Sequence, residues 1–145
     1  MELQTNLWDI TPKKPVMQGG YGTRTKPFEG VHDPIIASIF ILTIQKESYV
    51  WIGADISNGT GVMIDEILLN LEQMQHPLQK NHLIFGGSHT HSGPNIYVDR
   101  EPEVANEEYF HYAARAVAEG VVDTFQKERK EVETKYAKVH IDGLY

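Results

Sequence analysis

The residues best suited to chemistry are His89 and His91, which stand as His-Thr-His near the end of the run His82 to Pro94, HLIFGGSHTHSGP. In an extended segment side chains alternate faces, so residues two apart point the same way and two imidazoles can converge on one point. Neutral imidazole is the commonest metal ligand, and a strand ending in His-x-His suits zinc, which needs three or four donors in all. Two donors leave the set unfinished, so partners are expected elsewhere. The competing reading is a polar turn, because Ser, Thr, Gly and Pro tolerate any polar residue and a histidine pair there is solvated or caps backbone. The apolar feed Leu83-Ile84-Phe85 and the glycines Gly86 and Gly87, which allow close approach, favour the metal reading.

Holding two imidazoles together takes a rigid frame. A chain of 145 residues with 41% hydrophobic content suits a single domain, 1–145, with a real core. Ile35 to Ile44 (IIASIFILTI) and Tyr49 to Ile56 (YVWIGADI) are β-branched and aromatic, and across Gln45–Ser48 they read as a hairpin of buried strands. Met63, Ile64, Ile67, Leu68, Leu71 and Met74 recur at helical spacing, which predicts a helix from Thr60 to Gln75 stopped by Pro77. A strand over His82–Gly86 then delivers the histidine loop. Pro102 between two glutamates opens a second helix, whose stripe of Phe110, Ala113, Ala114, Val117, Val121, Val122 and Phe125 carries it to Lys130. Val132 to Ile141 reads as a last strand. The order ββαβαβ predicts an α/β fold, a mixed sheet with flanking helices. Residues 1–30, rich in Gly, Pro, Thr and Lys, read as ordered loop, and Trp8, Tyr21 and Phe28 favour a functional segment, with a simple wrap over the sheet as the alternative.

Thirteen basic against 20 acidic side chains give a formal charge of -7, which disfavours nucleic acid and anionic membranes as electrostatic partners. With no cysteine there is no disulfide framework, thiolate metal site or thiol nucleophile. No run approaches the ~18 apolar residues of a membrane span, and Met1-Glu2-Leu3-Gln4 lacks the basic start of a signal peptide, so as written the chain is expected in the cytoplasm.

The segment GGSHTHSGPN resembles the signature of the neutral/alkaline non-lysosomal ceramidase family. Asp9-Ile10-Thr11-Pro12, the glycines of Met17 to Tyr21, Gly30-Val31-His32 and Gly53-Ala54-Asp55 match in the expected order. The resemblance spans essentially the whole chain and implies the N-terminal part of a larger amidohydrolase domain. It implies that His89 ligates Zn²⁺, that His91 contacts substrate or serves catalysis, and that Gly20, Tyr21, Gly22 and His32 border the substrate. The reaction implied is hydrolysis of an N-acyl bond to a fatty acid and an amine. Asp55, at a strand end, would orient an imidazole or serve as a turn residue before the helix. The family's further zinc ligands, a His, a Glu and a Tyr, and its catalytic serine lie downstream of the matched region. His140 does not take up the missing role, and Ser92 closes the turn.

Three functions follow as expectations. The first is a ceramidase-like zinc amide hydrolase acting on an N-acyl lipid, incomplete in this chain and awaiting a C-terminal portion. The second is a non-catalytic α/β remnant that self-associates as a homo-oligomer through an exposed apolar face. The third is a cytoplasmic metal-dependent amidase or esterase acting on a small acyl compound.

Overall fold

A computed structural model describes every residue except Thr60, Pro102, Val104, Leu144 and Tyr145. Five strands form one sheet in the order β4-β3-β2-β1-β5. They are β1 (Glu2–Asp9), β2 (Ile36–Ile44), β3 (Glu47–Ala54), β4 (Leu83–Gly87) and β5 (Lys130–Glu131), with helices α1 (Gly61–Gln73) and α2 (Glu107–Phe125). The strands β1, β2 and β3 run antiparallel, whereas β4 lies parallel to β3, with Ala54 opposite Gly87. The mixed α/β sheet expected from the sequence is therefore present.

The hairpin turn between β2 and β3 is tighter than the four polar residues suggested. Gln45 and Lys46 both take positive φ, 49° and 76°, the geometry of a two-residue turn whose twist matches the strands it joins. The two helices pack on each other and on one face of the sheet. Ile39, Ile41, Ile52, Ile67, Leu71 and Val121 are wholly buried between the layers. Gly120 brings α2 against Trp8 and Ile39, where even a Cβ would lie 2.7 Å from atoms of both. Among the described residues, no helix is long and apolar enough to cross a membrane.

Three expectations about elements are corrected. Residues 2–9, read as loop, form β1, which pairs with β2 along all its length. The signal was inverted: Gln4 faces inward, 2% exposed, while Leu7 faces out at 71%. The Gln4 amide nitrogen reaches the carbonyl oxygens of Thr124, Phe125 and Lys127 at 3.0, 2.9 and 2.8 Å. Its two N–H groups are shared among carbonyls in the last turn of α2 and just beyond it, where acceptors lack helical partners.

The second correction concerns α2, which starts at Glu107 and ends at Phe125 instead of running from Pro102 to Lys130. Asn106 caps it, its side chain accepting from the Tyr109 N–H at 2.6 Å. The expected starts at Thr60 and Pro102 lie outside the described residues. Third, the strand expected over 132–141 is absent, and pairing with β1 stops at Glu131. Tyr136, Val139 and Ile141 are 87%, 77% and 63% exposed, so that alternation of apolar residues has no surface to bury against.

Among the described residues, nothing packs over the other face of the sheet. Phe40, Trp51 and Ile84 lie opposite one another on β2, β3 and β4, at 45%, 62% and 53% exposure. Apolar residues on both faces explain why these strands read as continuous hydrophobic runs, a pattern usual where both faces are covered.

Replacing Gly120 by Ala tests the contact between the layers. Helix propensity alone would stabilise by about 1 kcal/mol, but overpacking against Trp8 and Ile39 costs roughly 1–3 kcal/mol. The expected outcome in urea unfolding is a net loss of stability. A more stable variant would show that the two layers separate without cost at this point.

Candidate active site

The histidine loop leaves β4 at Gly87, and that glycine is required by space. A Cβ there would sit 2.8 Å from the Ile56 carbonyl oxygen and 2.9 Å from Asn58 Cα. Beyond the ladder the chain stays bound to the segment following β3, with the Ser88 N–H donating to Ala54 O at 2.9 Å and the His89 N–H to Ile56 O at 3.1 Å. At His89 the backbone turns over into the left-handed region, with φ 63°. Non-glycine residues seldom adopt that conformation, and it clusters at functional sites.

Strand alternation therefore does not bring the imidazoles together, because His89 and His91 lie past the end of β4. The left-handed turn does. Their Nε2 atoms are 3.5 Å apart and their rings meet edge to face at 5.0 Å between centroids. His89 Nδ1 lies 2.6 Å from the Ser57 carbonyl oxygen. A carbonyl only accepts, so Nδ1 carries the proton and the Nε2 lone pair is free toward His91. This anchoring of one ring nitrogen to a carbonyl is the usual support for a metal-binding histidine. Two nitrogens bound to one tetrahedral zinc would be separated by about 3.3 Å, from Zn–N bonds of about 2.05 Å, so the spacing suits a cation as well as a hydrogen bond. Among the described residues, no group of three or more His, Cys, Asp or Glu is placed to hold a metal. The donor chemistry fits zinc at His89, and the remaining donors are not in this cluster.

Gly20, Tyr21 and Gly22 are brought to the histidines. With His89, His91, Arg24, Asn95, Tyr97 and Glu101 they line a cavity of about 360 Å³. Gly20 has φ 95°, and a Cβ on it would fall 2.3 Å from His91 Cγ. Tyr21 meets the His91 ring edge to face at 4.6 Å.

His32 and Asp55 lie elsewhere. They line a second cavity, of about 510 Å³, with Phe28, Val31, Thr90 and Ser92. The loop is thus a partition, with His89 and His91 on one side and Thr90 and Ser92 on the other. His32 pairs with Asp33 at 2.7 Å on the surface. Asp55 accepts from the Ile36 N–H at 3.1 Å and from Ser88 Oγ at 3.4 Å, and Ser57 occupies the anchoring position beside His89. His140 pairs with Asp142 on the exposed C-terminal segment. Sequence reasoning passed over Ser57, Arg24, Asn95 and Glu101. Of these only Asn95 had a signal in the sequence, as the last residue of GGSHTHSGPN, and in the structure its buried side chain accepts from the Tyr97 N–H and donates to Glu101.

The fold is shared with solved ceramidase structures. Over 87% of its length the chain superposes on neutral ceramidase from Pseudomonas aeruginosa, with a TM-score of 0.76 and 18% identity. A structure described as ceramidase complexed with C2 gives 0.74, again at 18% identity over 87% of the chain. The chain spans 21% of the length of either. No curated relative matches the sequence significantly. The sequence model of the neutral/alkaline non-lysosomal ceramidase family, N-terminal part, matches residues 5–143, and the chain belongs to that family.

The left-handed backbone at His89 yields a test that separates ring from main chain. His89→Gly and His89→Ala both remove the imidazole, but only glycine takes φ 63° without steric cost. His89→Gly should be the more stable of the two by about 0.5–1 kcal/mol in thermal or urea unfolding. Equal stabilities would mean that the turn relaxes once the ring is gone.

Proposed function

We propose that this chain carries the first metal-binding histidine of a zinc-dependent amide hydrolase of ceramidase type, which cleaves an N-acyl bond to a fatty acid and an amine. The observation that carries this reading is the pair of imidazole nitrogens 3.5 Å apart, with the His89 ring fixed by Ser57 O. His89 would hold the ion through Nε2. Zinc bound there supplies Lewis-acid polarisation of the amide carbonyl and a more acidic water. His91 Nε2 stands within reach to take a proton from the attacking water and return it to the leaving amine. Gly20, Tyr21 and Gly22 border the reacting amide, and His32, across the loop, meets a more distant part of the substrate. Asp55 steadies the base of the loop through Ser88 and the Ile36 N–H. The remaining zinc donors come from outside the described residues.

Family membership supports an N-acylsphingosine as substrate, with a small acyl amide or ester as the competitor. Elemental analysis of protein purified without chelator should find little zinc on this chain alone, since one imidazole does not hold the ion, and one zinc, lost in His89→Ala, once the segment with the further donors is joined to it. A panel of short and long N-acyl substrates should show little turnover by this chain alone. Absence of zinc from every form would sink the reading. Brisk turnover lost in His89→Ala would show that the donor set closes within the chain.

A second reading, self-association, is favoured by the bare row of Phe40, Trp51 and Ile84. Sedimentation should then find dimers whose proportion rises with concentration and falls in Trp51→Lys. A wild type monomeric at all concentrations would exclude it.

A further inference from the structure

We propose that Arg24 is a positioning residue that holds His91 in register with His89; this rests on the histidine pair being the reacting centre. Arg24 is half-buried, and its partners are carbonyl oxygens. Its Nη1 donates to Gly19 O at 3.0 Å and to His91 O. Among the described residues it forms no ion pair with a carboxylate. The guanidinium plane lies over Tyr21, with Cζ 4.8 Å from the ring centroid, and Tyr21 in turn meets the His91 imidazole at 4.6 Å. One side chain thus grips His91 twice, directly at its carbonyl and through Tyr21 at its ring.

The grip is needed because His91 lacks what His89 has. The His89 ring is tied to Ser57 O, whereas among the described residues the His91 ring hydrogen-bonds to His89 Nε2 alone and is otherwise held by packing on Gly20 and Tyr21. The two loops are already laced by the Gly19 N–H to Gly93 O at 3.0 Å and the Asn95 N–H to Met17 O at 2.8 Å. Those bonds fix the strand-like part of the contact and leave the tip, where His91 stands, to Arg24. A lysine has the charge but not the planar fork. Both carbonyl bonds leave the single nitrogen Nη1, which an ammonium could replace, but an ammonium offers no planar group to lie over the Tyr21 ring.

The test is proton NMR of the metal-free chain, reading ring-to-ring NOEs between His89 and His91 and between Tyr21 and His91. The wild type should show both. Arg24→Ala should lose both while keeping the His89 contacts with the Ser57 segment, and added methylguanidinium should restore them. Arg24→Lys, which keeps a donor for the carbonyls but no plane over Tyr21, should lose the Tyr21–His91 NOE and guards against a failure of Arg24→Ala to fold. Persistence of both NOEs in either variant overturns the proposal, as does their loss without methylguanidinium rescue in a folded Arg24→Ala. Because the readout needs no metal, it separates from the hydrolase reading. A protein that shows both NOEs yet holds no zinc once the further donors are joined to it would sink that reading alone.

Discussion

The hydrogen bond from His89 Nδ1 to the Ser57 carbonyl ties together the ends of two parallel strands, and the site depends on it. Taken singly it is weak: a net contribution of about 1 kcal/mol is typical, while a left-handed non-glycine residue costs roughly 1–2 kcal/mol. The turn at His89 persists because the ring bond acts together with Ser88 to Ala54 O and His89 to Ile56 O. Three bonds across one short seam outweigh the strain. The same seam fixes which nitrogen of His89 is protonated, so backbone geometry at the end of β3 sets the chemistry available at the tip of β4.

How much of this could be read from residue types differs by element, and the reasons are physical. The β2–β3 hairpin, α1 and β4 announce themselves through long apolar periodicity. The strand β1 did not, because its inward position is filled by Gln4, whose amide serves the carboxyl end of α2, while Leu7 points to solvent. The C-terminal alternation of Val, Tyr and Ile misled in the opposite sense, having apolar residues but no neighbour to pair with. In the site, His89 and His91 stood out by type and spacing, and Gly20 and Tyr21 through the family resemblance. Ser57 and Arg24 did not, since they act on or through backbone carbonyls, and a carbonyl acceptor has no signature in a sequence.

The histidine loop also divides space. Because His89 and His91 face one cavity while Thr90 and Ser92 face the other, a change on one side of the loop is felt on the other through a partition one chain thick. Gly93 keeps that partition against the β3 end, where a Cβ would come within 2.7 Å of Asp55 O. The wall between the cavities is therefore made chiefly of main chain, braced from the β3 end.

The two tryptophans of the chain stand on opposite faces of one sheet, Trp8 under the helix layer and Trp51 on the bare side. Their emission separates the two surfaces optically. Trp8 reports whether α2 is seated, whereas Trp51, 62% exposed, starts red-shifted and would move to the blue when anything apolar covers it. Substituting phenylalanine at either position leaves the other as sole emitter, so the protein carries its own pair of independent gauges for internal packing and for occupancy of its open face.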